Sequence, residues 1–256
     1  MKTPLIATEK LKSAFKNIRE MHERIAAQAP AIEDAISAMD SSVTKALNED
    51  DDKSPMHRLN AYRTTLWAQQ GWFPSTWETP LSLISQTAEL LGSSQHSQAE
   101  EAICSHFQSD RNKLIDSVIE NNPDRKDIIL DALAAHDEGR YALSIPVFLI
   151  QADGIGSSYF NIDSIYTASA GNYEKIKRKF DADECWLRIK YIHYLVGTIH
   201  PLNASRRVRD RYDSPFNRHT VIHGESVNYP SRINSLKSIS WLHFIGDLAQ
   251  DKNLAE

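Results

Sequence analysis

The chain has 256 residues, a formal net charge of −5, and 41% hydrophobic and 25% charged residues. These are ordinary globular values, and the length allows one large domain or two small ones. The two cysteines, Cys104 and Cys185, form neither a disulfide framework nor a metal-ligand pattern. The apolar run over residues 141–150 has about half the roughly 20 residues of a membrane span. With no signal segment at the start, we expect a cytoplasmic protein without membrane contact.

Helical periodicity covers the N-terminal half. Apolar residues recur every three or four positions in residues 11–25 and again in residues 32–43. Residues 56–80 are rich in aromatic side chains, which can stack bases in single-strand binders but which we interpret as core. Three short helices are predicted within residues 81–119, and Asn121-Asn122-Pro123 marks a break. We therefore predict a helical N-terminal region, of unknown function, over residues 1–122.

A strongly apolar segment follows in the C-terminal half. After an amphipathic helix at residues 124–136, residues 140–155 are apolar on nearly every side. This pattern predicts a buried central helix, kinked by Pro146. Gln151 and Asp153 near its end then need polar partners, either neighbouring backbone or an active-site arginine or histidine.

The remainder of the chain adds further helices. An amphipathic pattern covers residues 183–199. Ser231 predicts the cap of a last amphipathic helix, whose apolar positions are Leu236, Ile239, Leu242, Ile245 and Leu248. No strand pattern and no internal repeat appears. We predict an all-α fold, with a helical bundle over residues 123–256 as the second domain.

Basic residues are concentrated in this second domain. Residues 171–237 hold thirteen Lys and Arg against seven Asp and Glu, whereas the remainder holds sixteen against twenty-seven. Either basic cluster alone is typical of a solvated helix face, but two in one region favour a polyanion partner. The predicted RNA-binding residues are Lys175, Lys177, Arg178, Lys179, Arg206, Arg207, Arg209 and Arg211.

The segment S-P-F-N-R-H-T-V-I-H-G-E at residues 214–225 concentrates the chemistry. Ser214 and Pro215 predict the N-cap and first residue of a helix of about two and a half turns. Gly224 predicts the left-handed residue that ends it. Between these signals lie Arg218, His219 and His223.

These three residue types suit the cleavage of RNA by its own 2′-hydroxyl. That reaction needs a base for the hydroxyl proton, an acid for the departing 5′-oxygen and positive charge on the phosphorane. Histidine serves as acid or base near neutral pH, and arginine offers a permanent fork of donors to phosphate. At the end of a helix, His223 is favoured in its charged form. The chemistry requires neither a metal nor a cofactor.

The order of arginine, polar residue, three further residues and histidine resembles the signature of the HEPN superfamily, many of whose members are metal-independent endoribonucleases. The resemblance covers about residues 123–248 and implies a bundle of four or five helices. It also implies 2′,3′-cyclic phosphate and 5′-hydroxyl products, and a role as a toxin or in phage defence, with an antitoxin or regulatory partner. The catalytic residues would be Arg218, His223 and His219, with second-shell candidates Asn217, Glu225 and Asp153.

Helical geometry adds a prediction about assembly. At about 100° per residue, Arg218 and His223 lie about 140° apart around a regular helix, whereas His219 and His223 share a face. One regular helix therefore does not direct both Arg218 and His223 at one phosphate. We predict a homodimer in which a composite site pairs these residues across the interface, as in the HEPN ribonucleases that the chain resembles.

Three alternatives remain open from the sequence. His219 and His223 have the spacing of a helical metal site with Glu225 as a third ligand, but the Glu of the H-E-x-x-H pattern is replaced by Thr220. The domain can also be a non-catalytic module that binds RNA or protein, or a purely structural helical domain.

Overall fold

A computed structural model of the chain describes residues 55–75, 78–167, 170–181, 201–204 and 216–249. These residues form α-helices and two 3₁₀ turns with no strand among them, so the predicted all-α class is confirmed. The 3₁₀ turns are Pro123–Arg125 and Pro201–Asn203. The helices are α1 (Pro55–Gln69), α2 (Leu81–Gly92), α3 (His96–Asn121), α4 (Lys126–Asp137), α5 (Tyr141–Phe160), α6 (Ala170–Asp181), α7 (Arg218–Ile222) and α8 (Arg232–Leu248).

The last helix, α8, is the centre of the bundle. It packs against α3 and α5, and every residue from Ser235 to Leu248 is buried. Its N-cap is Ser231, as predicted, whose side chain accepts a hydrogen bond from the Asn234 amide at 3.1 Å. The amphipathic pattern of this segment did not indicate that its polar face is buried as well.

Helix α5 differs from the prediction, because it is not the fully buried central helix that its apolar sequence indicates. It buries one face, but Leu143 and Ile150 are more than half exposed. Pro146 lies inside the helix, which continues to Phe160. Helix α5 also has two extensively packed neighbours, α4 and α8, but only α8 is buried at every residue over most of its length.

Helix α3 is a second correction. The two short helices predicted within residues 98–119 are one continuous helix of 26 residues, His96–Asn121. No proline or glycine interrupts this stretch, so nothing in the backbone ends the first helix. The predicted break at Asn122 and Pro123 is confirmed, because α3 ends there and a 3₁₀ turn begins.

The aromatic segment before α2 forms core, as predicted. Trp67, Trp72 and Phe73 are fully buried or nearly so. The Trp67 indole donates a hydrogen bond to the Thr87 hydroxyl at 2.7 Å, and Phe73 packs edge-on against Trp241 of α8 at 4.5 Å between ring centroids. These rings are not available to stack on bases.

The chain divides into two compact units, Met1–Tyr62 and Arg63–Glu256. This division differs from the boundary predicted between residues 122 and 123, because α3 on one side of that point packs against α8 on the other. The helices predicted at residues 11–25, 32–43 and 183–199 lie outside the described residues. Among the described helices, none combines the length and apolar character needed to cross a membrane.

Candidate active site

The helix that carries the predicted catalytic residues is shorter than its caps suggested. Helix α7 has five residues, Arg218–Ile222, and its N-cap is Asn217, in an extended conformation. The Asn217 side-chain oxygen accepts hydrogen bonds from the amides of His219 at 2.9 Å and Thr220 at 3.4 Å. Asn217 thus takes the capping role that the sequence assigned to Ser214, which lies outside the described residues.

The end of α7 agrees with the prediction. Gly224 has a φ of +69°, in the left-handed region where glycine is unstrained. His223 is the C-cap, with φ −89° and ψ 2°, and its amide bonds the His219 carbonyl at 3.0 Å. Val221 is buried beneath the helix. This short turn therefore holds His219 and His223 on the same side.

Asn217 also joins α7 to a distant segment. Its side-chain nitrogen donates to the carbonyl oxygens of Pro201 at 2.6 Å and Ala204 at 2.9 Å. With both ends of the amide engaged, the predicted second-shell residue Asn217 fixes the backbone at the start of α7. It thereby brings the 3₁₀ turn Pro201–Asn203 beside Arg218.

Arg218 is held by that turn and by the segment after α5. Its Nε donates to the Asn203 side-chain oxygen at 3.1 Å, and its Nη2 donates to the Tyr166 carbonyl at 3.0 Å. The guanidinium also lies over the Tyr166 ring, 4.2 Å from the centroid, in cation–π geometry. Burial lowers the pKa of Arg218, while Tyr166 and Asp153 act in the opposite direction. Arg218 remains a cation because arginine is not deprotonated in proteins.

The two histidines follow Arg218 in a row. Nη2 of Arg218 lies 2.9 Å from Nε2 of His219. Because arginine only donates, Nε2 accepts, which makes His219 a neutral imidazole with its proton on Nδ1. The His219 ring stacks on His223, with centroids 6.0 Å apart and planes inclined by 17°. We call Arg218, His219 and His223 the Arg-His-His row; His219 is half-buried and His223 is exposed.

Asp153, predicted to support the catalytic residues, binds the segment before Tyr166 rather than the Arg-His-His row itself. Its carboxylate accepts hydrogen bonds from the Ser164 hydroxyl at 2.9 Å, the Ile165 amide at 2.9 Å and the Ser157 hydroxyl at 3.2 Å. These bonds hold the chain after α5 in the position from which Tyr166 meets Arg218. Gln151, the other polar residue on α5, accepts from the Arg125 guanidinium at 2.9 Å.

The sequence did not single out Tyr166 or Asn203. Tyr166 is buried, donates its hydroxyl to the Leu149 carbonyl at 2.9 Å and accepts from the Trp241 indole at 2.9 Å. Burial raises its pKa, with the Trp241 hydrogen bond acting in the opposite direction. The connection after α5 that contains Tyr166 has no regular apolar pattern. The one feature of the sequence that could have pointed to Tyr166 is the presence of an aromatic residue in this polar connection.

Three of the other predicted residues, Glu225, Lys175 and Arg178, are described by the structure, and all three are exposed. Glu225 is exposed in the loop after α7. Lys175 and Arg178 are exposed on α6, where the Lys175 ammonium donates to the Asn161 carbonyl at 2.9 Å. The side chains of Lys177 and Lys179, and the cluster Arg206, Arg207, Arg209 and Arg211, lie outside the described part of the chain.

Comparisons with known proteins return no relative: no protein family, no curated protein and no solved structure matches the chain. What the row can do must therefore be argued from its geometry. It offers a fixed cation, a neutral imidazole whose Nε2 is engaged, and an exposed imidazole. Among the described residues, no group of three His, Cys, Asp or Glu side chains is arranged to hold a metal ion.

Proposed function

We propose that the chain is a HEPN-type endoribonuclease that cleaves RNA without a metal, by attack of the ribose 2′-hydroxyl. The observation that carries the proposal is the Arg-His-His row. In it an oriented guanidinium is followed, through one neutral imidazole, by an exposed imidazole at the C-cap of the same short helix. The row thus combines a phosphate-binding cation with an accessible acid–base group.

Arg218 keeps donors for a substrate. Three of its five N–H groups are used by Asn203, Tyr166 and His219. The two N–H groups of Nη1 have no hydrogen-bond partner among the described residues, so they are the edge that would bind phosphate. A guanidinium held in place stabilises the extra charge of the phosphorane without reorganising during the reaction.

His223 is the acid–base residue in this proposal. It is exposed, and the stacking on His219 is the one ring contact that its imidazole makes among the described residues. His219 is unsuited to take a proton on Nε2, because that nitrogen already accepts from Arg218. We therefore assign His219 to orienting Arg218 and His223.

In the reaction, the base removes the 2′-hydroxyl proton as the oxygen forms a bond to phosphorus. The bond from phosphorus to the 5′-oxygen then breaks, and the acid protonates that oxygen. The products are a 2′,3′-cyclic phosphate and a 5′-hydroxyl, with no change in oxidation state. His223 provides one of the two proton transfers and a second group provides the other. Proton exchange with water then restores both groups to their starting states.

The homodimer remains part of the proposal, but for a different reason. The 140° argument assumed a regular helix, whereas α7 spans five residues and places Arg218, His219 and His223 in one row within a single chain. Each chain offers one exposed imidazole in this row, while the reaction uses a base and an acid. A second copy would contribute the other, from the partner's His223.

The biological role that accompanies this activity is that of a toxin or phage-defence ribonuclease, controlled by an antitoxin or another regulatory partner. RNA would be drawn in by the exposed Lys175 and Arg178 and by the basic cluster at residues 206–211. Expression of the active chain would then arrest growth, and His223→Ala would relieve the arrest.

The test is cleavage of total RNA by purified protein in EDTA. Arg218→Ala and His223→Ala should each lower the rate by on the order of 100-fold or more. Arg140→Ala and His96→Ala, which remove an exposed residue of each type elsewhere on the surface, are the matched controls and should leave it unchanged.

Each other outcome has a definite meaning. Cleavage that disappears in EDTA would support a metal site at His219 and His223. RNA retention without cleavage, falling steeply as salt rises, would support a binding module. Neither cleavage nor binding would leave a structural domain, and a monomer that cleaves RNA would contradict the dimer.

A further inference from the structure

We propose that Tyr166 and Asn203 are positioning residues that hold the guanidinium of Arg218 so that its Nη1 edge faces a phosphate. This inference rests on the proposed function for its consequence in catalysis. The immobilisation of Arg218 with its Nη1 edge free is inferred from the contacts of Arg218 alone, and it is tested separately from catalysis below.

The first step is the orientation of the guanidinium plane. Asn203 binds Nε at 3.1 Å from one side, and the Tyr166 carbonyl binds Nη2 at 3.0 Å. Two hydrogen bonds in the plane of a rigid fork fix both its position and its rotation. The two contacts therefore leave Nη1 as the edge that a phosphate can approach.

The second step is the support beneath the plane. The Tyr166 ring lies 4.2 Å below the guanidinium carbon, and this ring is itself immobile. Its hydroxyl is bonded to Leu149 of α5 and to the Trp241 indole of α8, both at 2.9 Å. Tyr166 thus transmits the rigidity of the two packed helices to Arg218.

The third step concerns the cost of losing these contacts. Arginine is among the side chains that lose the most rotamer entropy on being ordered. In the folded protein, Arg218 loses this entropy when the chain folds, before RNA binds. In a variant that releases Arg218, the same entropy would be lost during RNA binding or in the transition state, which would weaken binding or slow the reaction.

Two variants of Tyr166 separate positioning from stability. Tyr166→Phe removes the hydroxyl, with its bonds to Leu149 and Trp241, but keeps the ring under Arg218. Tyr166→Leu removes the hydroxyl and the ring together. Both variants lose the buried hydrogen bonds, so a difference between them in Arg218 behaviour reports the ring.

Asn203→Ala removes the acceptor for Nε, and Asn122→Ala is its control. Asn122 is half-buried at the end of α3, where its side chain donates to the Val118 carbonyl at 2.9 Å. Arg218 itself is unchanged in all four variants, so its charge is constant throughout.

The direct readout is NMR of the arginine side chains in protein labelled with ¹⁵N-arginine, with Arg218→Lys to assign the signal. In the wild type, the Nε proton of Arg218 should exchange with water more than 10-fold more slowly than that of the exposed Arg232. Asn203→Ala and Tyr166→Leu should bring it close to the Arg232 rate, Tyr166→Phe should give an intermediate rate because the ring loses its anchor, and Asn122→Ala should keep it within about twofold of the wild type. Exchange in the wild type as fast as that of Arg232 would overturn the proposal, whether or not the protein cleaves RNA.

The second readout connects positioning to catalysis. In single-turnover cleavage, Asn203→Ala should lower the rate at saturating RNA by on the order of 10- to 100-fold, since displacement of about 1 Å costs this much. Tyr166→Leu should lower it more than Tyr166→Phe. Equal rates in the wild type and Asn203→Ala would overturn the catalytic consequence.

If the wild type cleaves no RNA, the proposed function fails while the positioning of Arg218 is still decided, with inorganic phosphate as the probe. Phosphate should then shift the Arg218 signal in the wild type and shift it at several-fold higher concentration in Asn203→Ala. The same phosphate dependence in both proteins would overturn the positioning.

Discussion

Two buried histidines, His136 and His243, and the half-buried His106 predict that the folded state is destabilised by mild acid. Burial lowers the pKa of His106, His136 and His243 below the ordinary value of about 6.5. An unfolded chain takes up protons on these residues near pH 6.5, whereas the native chain does so only at lower pH. The unfolded state therefore binds more protons in this range, and the free energy of unfolding falls as the pH drops below 6.5.

The size of the effect follows from counting protons. One group that titrates in the unfolded state alone changes stability by about 1.4 kcal/mol per pH unit, so three such groups give at most about 4 kcal/mol per unit. Asp110 raises the pKa of His106 and Asp247 raises that of His243, against the effect of burial. These carboxylates therefore narrow the pH range in which the unfolded state binds more protons than the native state. Even part of this upper limit is a large share of the 5–15 kcal/mol that is typical of a folded domain.

The assay is urea unfolding, followed by tryptophan fluorescence, at several pH values from 7.5 to 5.5. His243→Gln should reduce the slope of stability against pH below 6.5 by up to about 1.4 kcal/mol per unit. His96→Ala, at an exposed position, should leave the slope unchanged. A free energy of unfolding that stays constant or rises between pH 6.5 and 5.5 would refute the idea that these imidazoles are buried in neutral form.

Three further predictions concern the same core. Glu100→Gln should destabilise the fold by about 2 kcal/mol, because it removes the negative charge 3.0 Å from the buried ammonium of Lys237. This is less than the usual cost of breaking a buried pair because Glu100 is partly exposed. Lys237→Met should cost less in the same urea assay. Ser235→Ala should cost about 1–3 kcal/mol, since it removes the hydroxyl that bonds His136 at 2.8 Å, and Ser235→Thr should recover part of the loss. Burial raises the pKa of Cys104 to about 11, so iodoacetamide at pH 8 should label it only after unfolding, as mass spectrometry of native and urea-treated protein would show.

The periodic parts of the fold could be predicted from the sequence. Apolar spacing located α4 and α8, and the helix breakers located the break before Pro123 and the turn at Gly224. What the pattern did not provide was burial. Lys237, Ser240 and Asp247 lie on the side of α8 away from its apolar positions, yet they are buried because α3 and α5 enclose the helix. Periodicity along one helix carries no information on how many neighbours surround it.

The same limit applies to the candidate site. Arg218, His219 and His223 were recognisable because they lie close together in sequence and carry suitable chemistry. Tyr166 and Asn203 lie 52 and 15 residues from Arg218 along the chain, and only tertiary contacts bring them to it. The competition between Ser214 and Asn217 for the N-cap was also undecidable locally, since both are good caps. The tie from Asn217 to Pro201 and Ala204 distinguishes it from Ser214.

The residues that hold Arg218 lie far apart along the chain, and this order has a consequence during synthesis. Arg218 follows Tyr166 and Asn203 along the chain, but Trp241, which anchors the Tyr166 hydroxyl from α8, lies later than all of them. A chain still attached to the ribosome holds the arginine and both histidines before the helix that steadies their support has left the exit tunnel. The guanidinium of Arg218 is therefore fully immobilised only after Trp241 has emerged and α8 has packed against Tyr166.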